Sequence, residues 1–351
     1  MNLYRYRGFA GVLTTLLITV LTAACSSVPP GAPGTDSENS GGLFTIRVAS
    51  PSSFNEIYVA DAMGFARDEG IQLDFTGSLA KGVTEYQLIE QGINDAFVGG
   101  HPPNVAQARL AGIMVKCVAP GMIDDPEYPH VSYLVKPDSP YRSLSETVGK
   151  KVAISSISGC TNGYVQYFLK NQGLDYNNVE FIVIPDPEGL LSLQQGLVDF
   201  IAAHPPYAGK AIAEGTAREV FNSWDIFQSP GAGLSVRGFS EGFIAEHPDV
   251  VQGFVNMMYR TRVWTNSHLE DAKKINAQYL DLEPSDVSSF YYDSQKQVSE
   301  EYVEKWFEIS EEIGLWGKGE INPEDITDNQ FTPEDPPAED ASLNWNGQIG
   351  G

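Results

Sequence analysis

The chain has 351 residues, of which 42% are hydrophobic and 19% are charged; this composition excludes a disordered protein, and the length predicts two domains of ordinary size. Its 46 Asp and Glu residues outnumber its 22 Lys and Arg residues, so the formal net charge is -24. That charge argues against nucleic acid as a partner and against a surface that rests on anionic lipid.

The N-terminus predicts export. Two arginines precede an apolar run over residues 9–21, which is too short for a stable transmembrane helix and is followed by small residues and Cys25. This order resembles a bacterial lipoprotein signal peptide, so we expect a signal peptide over residues 1–24 and a lipid on Cys25 that anchors the protein at the extracytoplasmic face of the cell membrane. The alternative is an ordinary secretory signal with an incidental cysteine. Residues 25–43 are rich in Ser, Pro and Gly and are predicted to be a flexible tether.

The first folded segment predicts a parallel α/β unit. Alternating apolar residues indicate a strand over residues 44–48, helical spacing follows over 57–65, and a second strand is expected over 71–75. A helix over 84–91 and a strand over 95–98 continue the pattern. Strands and helices that alternate with such short connections form a parallel sheet flanked by helices.

The tripeptide His-Pro-Pro occurs twice, each time where a strand is predicted to give way to a helix. The segments "AFVGGHPPNVAQARLAG" (96–112) and "DFIAAHPPYAGKAIAEG" (199–215) align with His101 opposite His204, and strand, turn, helix and final glycine coincide. Proline is favoured in the first turn of a helix, so each proline pair predicts a helix start. Because a helix N-terminus disfavours positive charge, a neutral imidazole is expected at both corners.

The remainder of the chain predicts a second α/β half and a helical C-terminal segment. Strand and helix patterns alternate again up to residue 235, whereas the segments beyond it show only helical spacing. We therefore expect lobe 1 over residues 44–134 plus 236–331, with the C-terminal helices covering it, and lobe 2 over 135–235; two chain crossings would form a hinge. Residues 326–331 are expected to dock on lobe 1, and the acidic, proline-rich residues 332–351 are expected to form a disordered tail.

Five segments along the chain carry a family resemblance. They are, in order, "VASPSSFNEIYVADAMGFARDEGI", "LIEQGINDAFVGG", "GKKVAISSISG", "LLSLQQGLVDFIAAHPPYAGKAIAEG" and "IAEHPDVVQGFVNMMYRTRVWTN". This order resembles the nitrate/sulfonate/taurine type of ABC-transporter substrate-binding protein, a group that includes pyrimidine-precursor binders and is related in fold to the yeast-type thiamine-pyrimidine synthase. The resemblance spans residues 44–316.

The resemblance implies both a fold and a function. The fold is a two-lobed, type II-like periplasmic-binding-protein α/β fold, in which each lobe is a mainly parallel sheet flanked by helices. The function is that of an extracytoplasmic solute-binding protein, a monomer and not an enzyme, which needs no cofactor. It would capture a sulfonate, nitrate or pyrimidine-like molecule between the lobes and deliver it to the permease and ATPase subunits of an importer.

The predicted ligand contacts lie in the loops that follow the strands. In an open parallel sheet, ligands bind beyond the carboxyl ends of the strands. The side chains there are mostly hydroxyls, amides and imidazoles, with Arg237 as a nearby cation; each can instead serve as a helix cap or as a solvated surface residue. The predicted ligand-binding residues are Ser50, Ser52, Asn55, Ser78, His101, Ser156, Cys160, Thr161, His204, Tyr207 and Arg237.

Several alternatives stay open at this point. His101 and His204 can satisfy local backbone groups, bind the ligand directly, or ligate a metal ion or metal chelate with Cys160 or carboxylates. Cys117 and Cys160 can form one disulfide or remain two buried thiols. His130 is predicted to be a loop or surface residue. The competing function classes are an enzyme related to thiamine-pyrimidine synthase, with a cleft histidine, and a tethered sensor for a membrane signalling protein.

Overall fold

The computed structural model describes residues 42–80, 82–155, 157 and 159–348. The predicted signal peptide, the lipid anchor Cys25 and nearly all of the predicted tether lie outside the described residues. Within the described part, no helix has both the length and the apolar character that crossing a bilayer requires.

The strands of the described residues form four separate sheets. One is a parallel pair, one is a three-stranded sheet, one is a short antiparallel pair, and the largest has five strands. The strands are β1 (Phe44–Val48), β2 (Ile71–Phe75), β3 (Ala96–Phe97), β4 (Val115–Pro120), β5 (Met122–Ile123), β6 (Ser132–Val135), β7 (Lys151–Ile154), β8 (Glu180–Val183), β9 (Phe200–Ala203), β10 (Arg218–Asn222), β11 (Val236–Ser240) and β12 (Tyr291–Tyr292).

Helices flank these sheets along the whole described chain. Most of the α-helices are preceded along the chain by a strand rather than by another α-helix, as an α/β protein requires. The α-helices are α1 (Glu56–Ala62), α2 (Phe65–Asp68), α3 (Glu85–Glu90), α4 (Pro102–Leu110), α5 (Tyr164–Asn171), α6 (Asp186–Gln195), α7 (Tyr207–Ala213), α8 (Ser223–Phe227), α9 (Glu241–Glu246), α10 (Pro248–Ser267), α11 (Leu269–Leu280), α12 (Glu300–Glu312) and α13 (Pro323–Ile326).

The predicted α/β fold is confirmed, although its sheets are more mixed than expected. In the five-stranded sheet, ordered β10-β6-β9-β7-β8, β7 pairs in parallel with β8 and β9, whereas β6 runs antiparallel to β9 and β10. Likewise, β11 runs antiparallel to β3 and β4. Antiparallel pairing needs no crossover helix, and β6 and β11 are the strands at which the chain enters one predicted lobe and returns to the other. The lobe boundaries themselves stay a prediction.

The first α/β unit forms as predicted, with one difference in its helix. β1 and β2 pair in parallel, with Phe44 opposite Ile71. The helix predicted over residues 57–65 divides into α1 and α2 because Gly64 adopts a left-handed φ of 77°, a conformation that glycine takes at little steric cost. Asn55 caps α1, since its side-chain oxygen accepts a backbone N–H of the first turn.

The C-terminal helices pack on the first half of the chain. The buried faces of α10 and α11 share one hydrophobic cluster with β1, β2 and α1. The prediction of a disordered tail over residues 332–351 is wrong for its described part. Asp340 pairs with Arg260 of α10 at 2.6 Å, and Trp264 Nε1 donates to the backbone oxygen of Leu343 at 3.0 Å. The acidic, proline-rich composition predicted that the entropy cost of ordering this segment would keep it disordered. The contacts with α10 offset that cost.

Cys117 and Cys160 are both buried, and no disulfide joins them. Of the two alternatives for these residues, separate thiols are therefore confirmed. Cys117 lies on β4, whereas Cys160 lies between β7 and α5. The second thiol belongs to the site described next.

Candidate functional site

The first His-Pro-Pro turn forms as predicted. β3 ends at Phe97, His101 is the N-cap of α4, and Pro102 is the first helical residue. The Nδ1 atom of His101 lies 2.8 Å from the backbone oxygen of Leu234. Because a carbonyl oxygen only accepts hydrogen bonds, Nδ1 carries a proton in this contact. The ring stacks on Trp306, with the centroids 5.1 Å apart.

The second turn differs, and the predicted helix start is wrong there. β9 ends at Ala203, but α7 begins at Tyr207, because the proline pair lies in the turn before the helix. The backbone N–H and the ring Nδ1 of His204 both donate to one carboxylate oxygen of Asp186, at 3.0 and 3.1 Å. The carboxylate thus holds the ring with Nδ1 protonated.

Cys160 faces the second turn. It lies in a single π-helical turn, Gly159–Gly163, that leads into α5. The hydroxyl of Tyr133 donates to the backbone oxygens of Cys160 and Thr161, at 3.3 and 3.0 Å, so the neighbouring strand holds this turn. Cys160 Sγ lies 3.8 Å from Nε2 of His204. Such π-helical interruptions are frequent at functional sites.

His130 lies between the two turns, in the loop that joins β5 to β6, so the predicted loop position is confirmed and the surface position is wrong. It is 1% exposed, and its ring centroid lies 4.6 Å from that of His101 and 5.2 Å from that of His204. The cause is strand direction. β6 runs antiparallel to β9, with Ser132 opposite Ala203, so a residue just before β6 lies at the edge where β9 ends.

His101, His130, Cys160 and His204 form one group, which we call the His/Cys cluster. One ligand atom from each of His101, His130 and Cys160 lies within 4.8 Å of the other two. All of these side chains are largely buried, with Cys160 4% exposed. Three imidazoles and a thiol at such distances can bind a metal ion or share protons with a bound polar molecule.

Charges within the His/Cys cluster are coupled. Burial lowers the pKa of His130 to about 4. Burial alone would raise the pKa of the Cys160 thiol, but the three imidazoles outweigh it and hold that pKa well below its usual range. Burial also opposes protonation of His204, yet the carboxylate of Asp186, together with Cys160, raises the pKa of His204 to about 10. The predicted neutral imidazole is therefore wrong for His204, because its carboxylate partner stabilises the cation.

The other predicted ligand contacts do not all lie in the His/Cys cluster. Thr161 is buried next to Cys160. Asn55 is buried too, but besides capping α1 it donates to the backbone oxygen of Val98 at 3.1 Å, which is the structural role left open for it. The Tyr207 hydroxyl donates to the backbone oxygen of Ser52 at 3.4 Å. The loop after β1 therefore meets the start of α7.

Two predicted serine contacts lie in the loops that follow β1 and β2. Ser50 is half-buried and follows β1. Ser78 is exposed. Ser156 lies outside the described residues.

Arg237 is not a cleft cation, and this part of the prediction is wrong. Its side chain is 1% exposed and pairs with Glu56, whose side chain is 0% exposed. Nε and Nη2 each donate to one oxygen of Glu56, at 3.0 and 2.9 Å. Nη1 donates to Ser235 Oγ and to the backbone oxygen of Val236, both at 3.0 Å. All three nitrogens thus donate within the protein.

Sequence reasoning missed three residues of the site. Asp186 follows β8 at a strand-to-helix turn, which is the signal that singled out the two His-Pro-Pro turns, so it could have been found. His130 could not, because the sequence does not give the direction of β6. Trp306, which covers the ring of His101, comes from α12 and carries no local signal.

The fold is that of the periplasmic substrate-binding proteins. The crystal structure of the periplasmic aliphatic sulphonate binding protein SsuA from Escherichia coli superposes with a TM-score of 0.65, covering 84% of this chain and 94% of that chain at 17% identity. A putative aliphatic sulfonates-binding protein of Bacillus subtilis is 25% identical over 333 residues, 92% of this chain and 95% of the relative. The riboflavin-binding protein RibY of Chloroflexus aurantiacus is 23% identical over 313 residues, 87% of this chain and 86% of the relative.

The family described as NMT1/THI5 like matches residues 52–272, and the chain belongs to this family. The matched range is more than half of the chain and contains the whole His/Cys cluster with Asp186. The predicted resemblance to this group of binding proteins is confirmed.

Proposed function

We propose that the protein is the extracytoplasmic solute-binding component of an ABC importer. The family, the fold and the names of the relatives all support this function. In this role the protein delivers its ligand to permease and ATPase subunits. We further propose that it acts as a monomer held at the membrane by a lipid on Cys25.

One observation carries the proposal: the two His-Pro-Pro turns, about a hundred residues apart in sequence, converge on one cluster. His101 and His130 come from predicted lobe 1, whereas Cys160 and His204 come from predicted lobe 2. A ligand held by both pairs would join the two lobes, and closure of this kind is what a permease can recognise.

Contacts around the cluster support a closed arrangement. Besides the Tyr207 hydrogen bond, Ser288 Oγ donates to the backbone oxygen of Pro206 at 3.3 Å. Lys210 of α7 forms an ion pair with Asp286. These contacts are few and partly exposed, so they can open and close at little cost.

A ligand screen on the purified full-length protein in detergent tests this function. A ligand that binds only the folded state raises the melting temperature by mass action. We expect at least one member of a panel of sulfonates, nitrate, pyrimidines, riboflavin and divalent metal ions to raise it by several degrees. The same ligand should lower the radius of gyration in small-angle X-ray scattering.

The screen needs two controls, one for conversion of the ligand and one for the location of the binding site. Mass spectrometry of the released ligand should recover it unchanged, whereas a converted product would instead indicate the enzyme. His268→Gln, at the start of α11 and away from the cluster, should keep the shift that His204→Gln loses. If no compound in the panel stabilises the protein, or if both variants respond equally, the proposed function or its site is wrong.

A further inference from the structure

Two histidines of the His/Cys cluster are held through the ring nitrogen Nδ1. Nδ1 of His101 is engaged by Leu234, and Nδ1 of His204 is engaged by Asp186. In both rings the second nitrogen, Nε2, is therefore the one left to bind a metal ion, once it carries no proton. This is the arrangement in which metal-ligating histidines are held, with the far N–H on a carbonyl or carboxylate oxygen.

His130 supplies the second, independent observation. Both of its ring nitrogens are buried and have no hydrogen-bond partner. A buried imidazole left in this way costs free energy, so an unpaired one calls for an explanation. Its ring lies within contact distance of the rings of His101 and His204. A metal ion at the centre of the cluster would satisfy one of its nitrogens.

Three of the ligand atoms fit a zinc ion after a small contraction, and the fourth lies near the sulfur atom. Zinc binds imidazole nitrogen at about 2.0–2.1 Å and thiolate sulfur at about 2.3 Å, which places ligand atoms about 3.3–3.7 Å apart. Cys160 Sγ and His204 Nε2 are already 3.8 Å apart. The ligand atoms of His101, His130 and Cys160 all lie within 4.8 Å of one another, so an inward movement of about 1 Å brings these three to zinc-ligand distances. His204, on the side of Cys160, would join as the fourth ligand when the predicted lobes close.

We propose that His101, His130, His204 and Cys160 bind one transition-metal ion through three nitrogens and one sulfur, and that this ion, most simply Zn²⁺, is the cargo of the importer. The cargo assignment rests on the proposed function. Imidazole and thiolate together select borderline and soft ions over Mg²⁺ and Ca²⁺. Metal binding takes Cys160 as the thiolate and His204 as the neutral imidazole, so the proton that the Cys160–His204 pair carries leaves to solvent.

The donor set also favours a bare ion over a metal chelate. Four protein ligands fill a tetrahedral coordination sphere and leave no position for a chelating molecule. Because two donors come from each predicted lobe, the ion can be bound and released as the lobes close and open. A permanent structural ion would not need donors divided in this way.

A catalytic triad is the competing use of the same residues. His204 contacts the thiol of Cys160 through one ring nitrogen and the carboxylate of Asp186 through the other. This is the order of nucleophile, base and orienting acid in a catalytic triad. That role leaves the unpaired ring of His130 unexplained. It also needs substrate access to a thiol that is 4% exposed. The metal site accounts for all four side chains.

Cobalt titration of the chelator-treated full-length protein tests the site. Tetrahedral Co²⁺ with a thiolate ligand gives visible d–d bands and a near-ultraviolet sulfur-to-metal band. We expect both, saturating at one ion per chain, displaced by Zn²⁺ and not by Mg²⁺. Cys160→Ala, and Cys160→Ser as a second variant, should lose the sulfur band. Cys117→Ala, which removes the other buried thiol, should keep it.

Two more variants test the geometry. His130→Gln should abolish the tetrahedral spectrum, whereas His268→Gln should leave it unchanged. Asp186→Asn should weaken Co²⁺ binding by about 10–100-fold, because it removes the carboxylate behind His204. An unchanged spectrum in Cys160→Ala or His130→Gln would overturn the site.

The remaining outcomes separate this inference from the proposed function. If Zn²⁺ raises the melting temperature and lowers the radius of gyration, the ion is the closing ligand. If Zn²⁺ binds without changing the radius, the cargo assignment is wrong. If a sulfonate, nitrate or riboflavin gives both effects and metals give neither, the metal inference fails while the solute-binding function stands. Rapid alkylation of Cys160 by iodoacetamide that metal does not prevent, with turnover of a thiol-reactive ester, would favour the triad.

Discussion

The buried pairs Glu56–Arg237 and Asp186–His204 are used in opposite ways. In the first, both carboxylate oxygens and all three guanidinium nitrogens are engaged within the protein. In the second, one oxygen of Asp186 has no hydrogen-bond partner, and Nε2 of His204 faces a thiol. The first pair has a structural role, because all of its polar atoms bond within the protein. The second pair has polar atoms that can still bind a ligand.

The largest stability effect is expected at the fully engaged pair. Arg237→Met leaves the buried carboxylate of Glu56 without its cation, so the free energy of unfolding should fall by about 3–5 kcal/mol. Urea denaturation measures it. As a control, Lys273→Met should leave the unfolding midpoint unchanged, because its partner Glu270 has a side chain that is 80% exposed. A stable Arg237→Met protein with lost ligand binding would restore Arg237 as a cleft residue.

A smaller stability effect is expected at the second pair. Asp186→Asn keeps an oxygen acceptor for the backbone N–H of His204 and lets the ring become neutral, so unfolding should cost about 1–3 kcal/mol less than in the wild type. The same denaturation experiment measures this change. A loss as large as that of Arg237→Met would mean that the two pairs have the same structural role, which would remove the contrast.

A still smaller stability effect is expected at a partly buried pair near the C-terminus. Asp340→Asn weakens the contact with Arg260, and the expected loss is about 1 kcal/mol. Limited proteolysis should then cut the C-terminal segment faster. Asp335→Asn is the matched control, because its side chain is 81% exposed in the pair with Lys296. Equal protease resistance in wild type and Asp340→Asn would show that other contacts hold the segment.

The smallest effect is expected at the exposed pair Lys210–Asp286. Lys210→Met should not shift the unfolding midpoint, since its side chain is 34% exposed and that of Asp286 is 26% exposed. Its effect should appear instead as a larger radius of gyration in the ligand-free protein. A clear shift of the midpoint would mean that the burial of these four pairs does not predict how much each contributes to stability.

Much of the fold could be predicted from local patterns. Alternation and helical spacing indicated β1, β2 and α3 nearly to the residue, and the His-Pro-Pro motif indicated α4. The same motif was misleading at α7, because the conformation of an identical tripeptide depends on its tertiary contacts. The acidic tail was misjudged for a similar reason, since its anchors Arg260 and Trp264 lie some eighty residues away.

The sequence by itself determined the α/β class, the order of the elements and the two histidines at strand ends, because these depend on hydrophobic period and on proline at helix starts. Only the tertiary structure decided which charges meet. It assigned Arg237 to the core and brought His130 and Asp186 to the cluster, because strand direction and contacts between distant segments set the surroundings of each group. The pKa values of Cys160 and His204 follow from those surroundings.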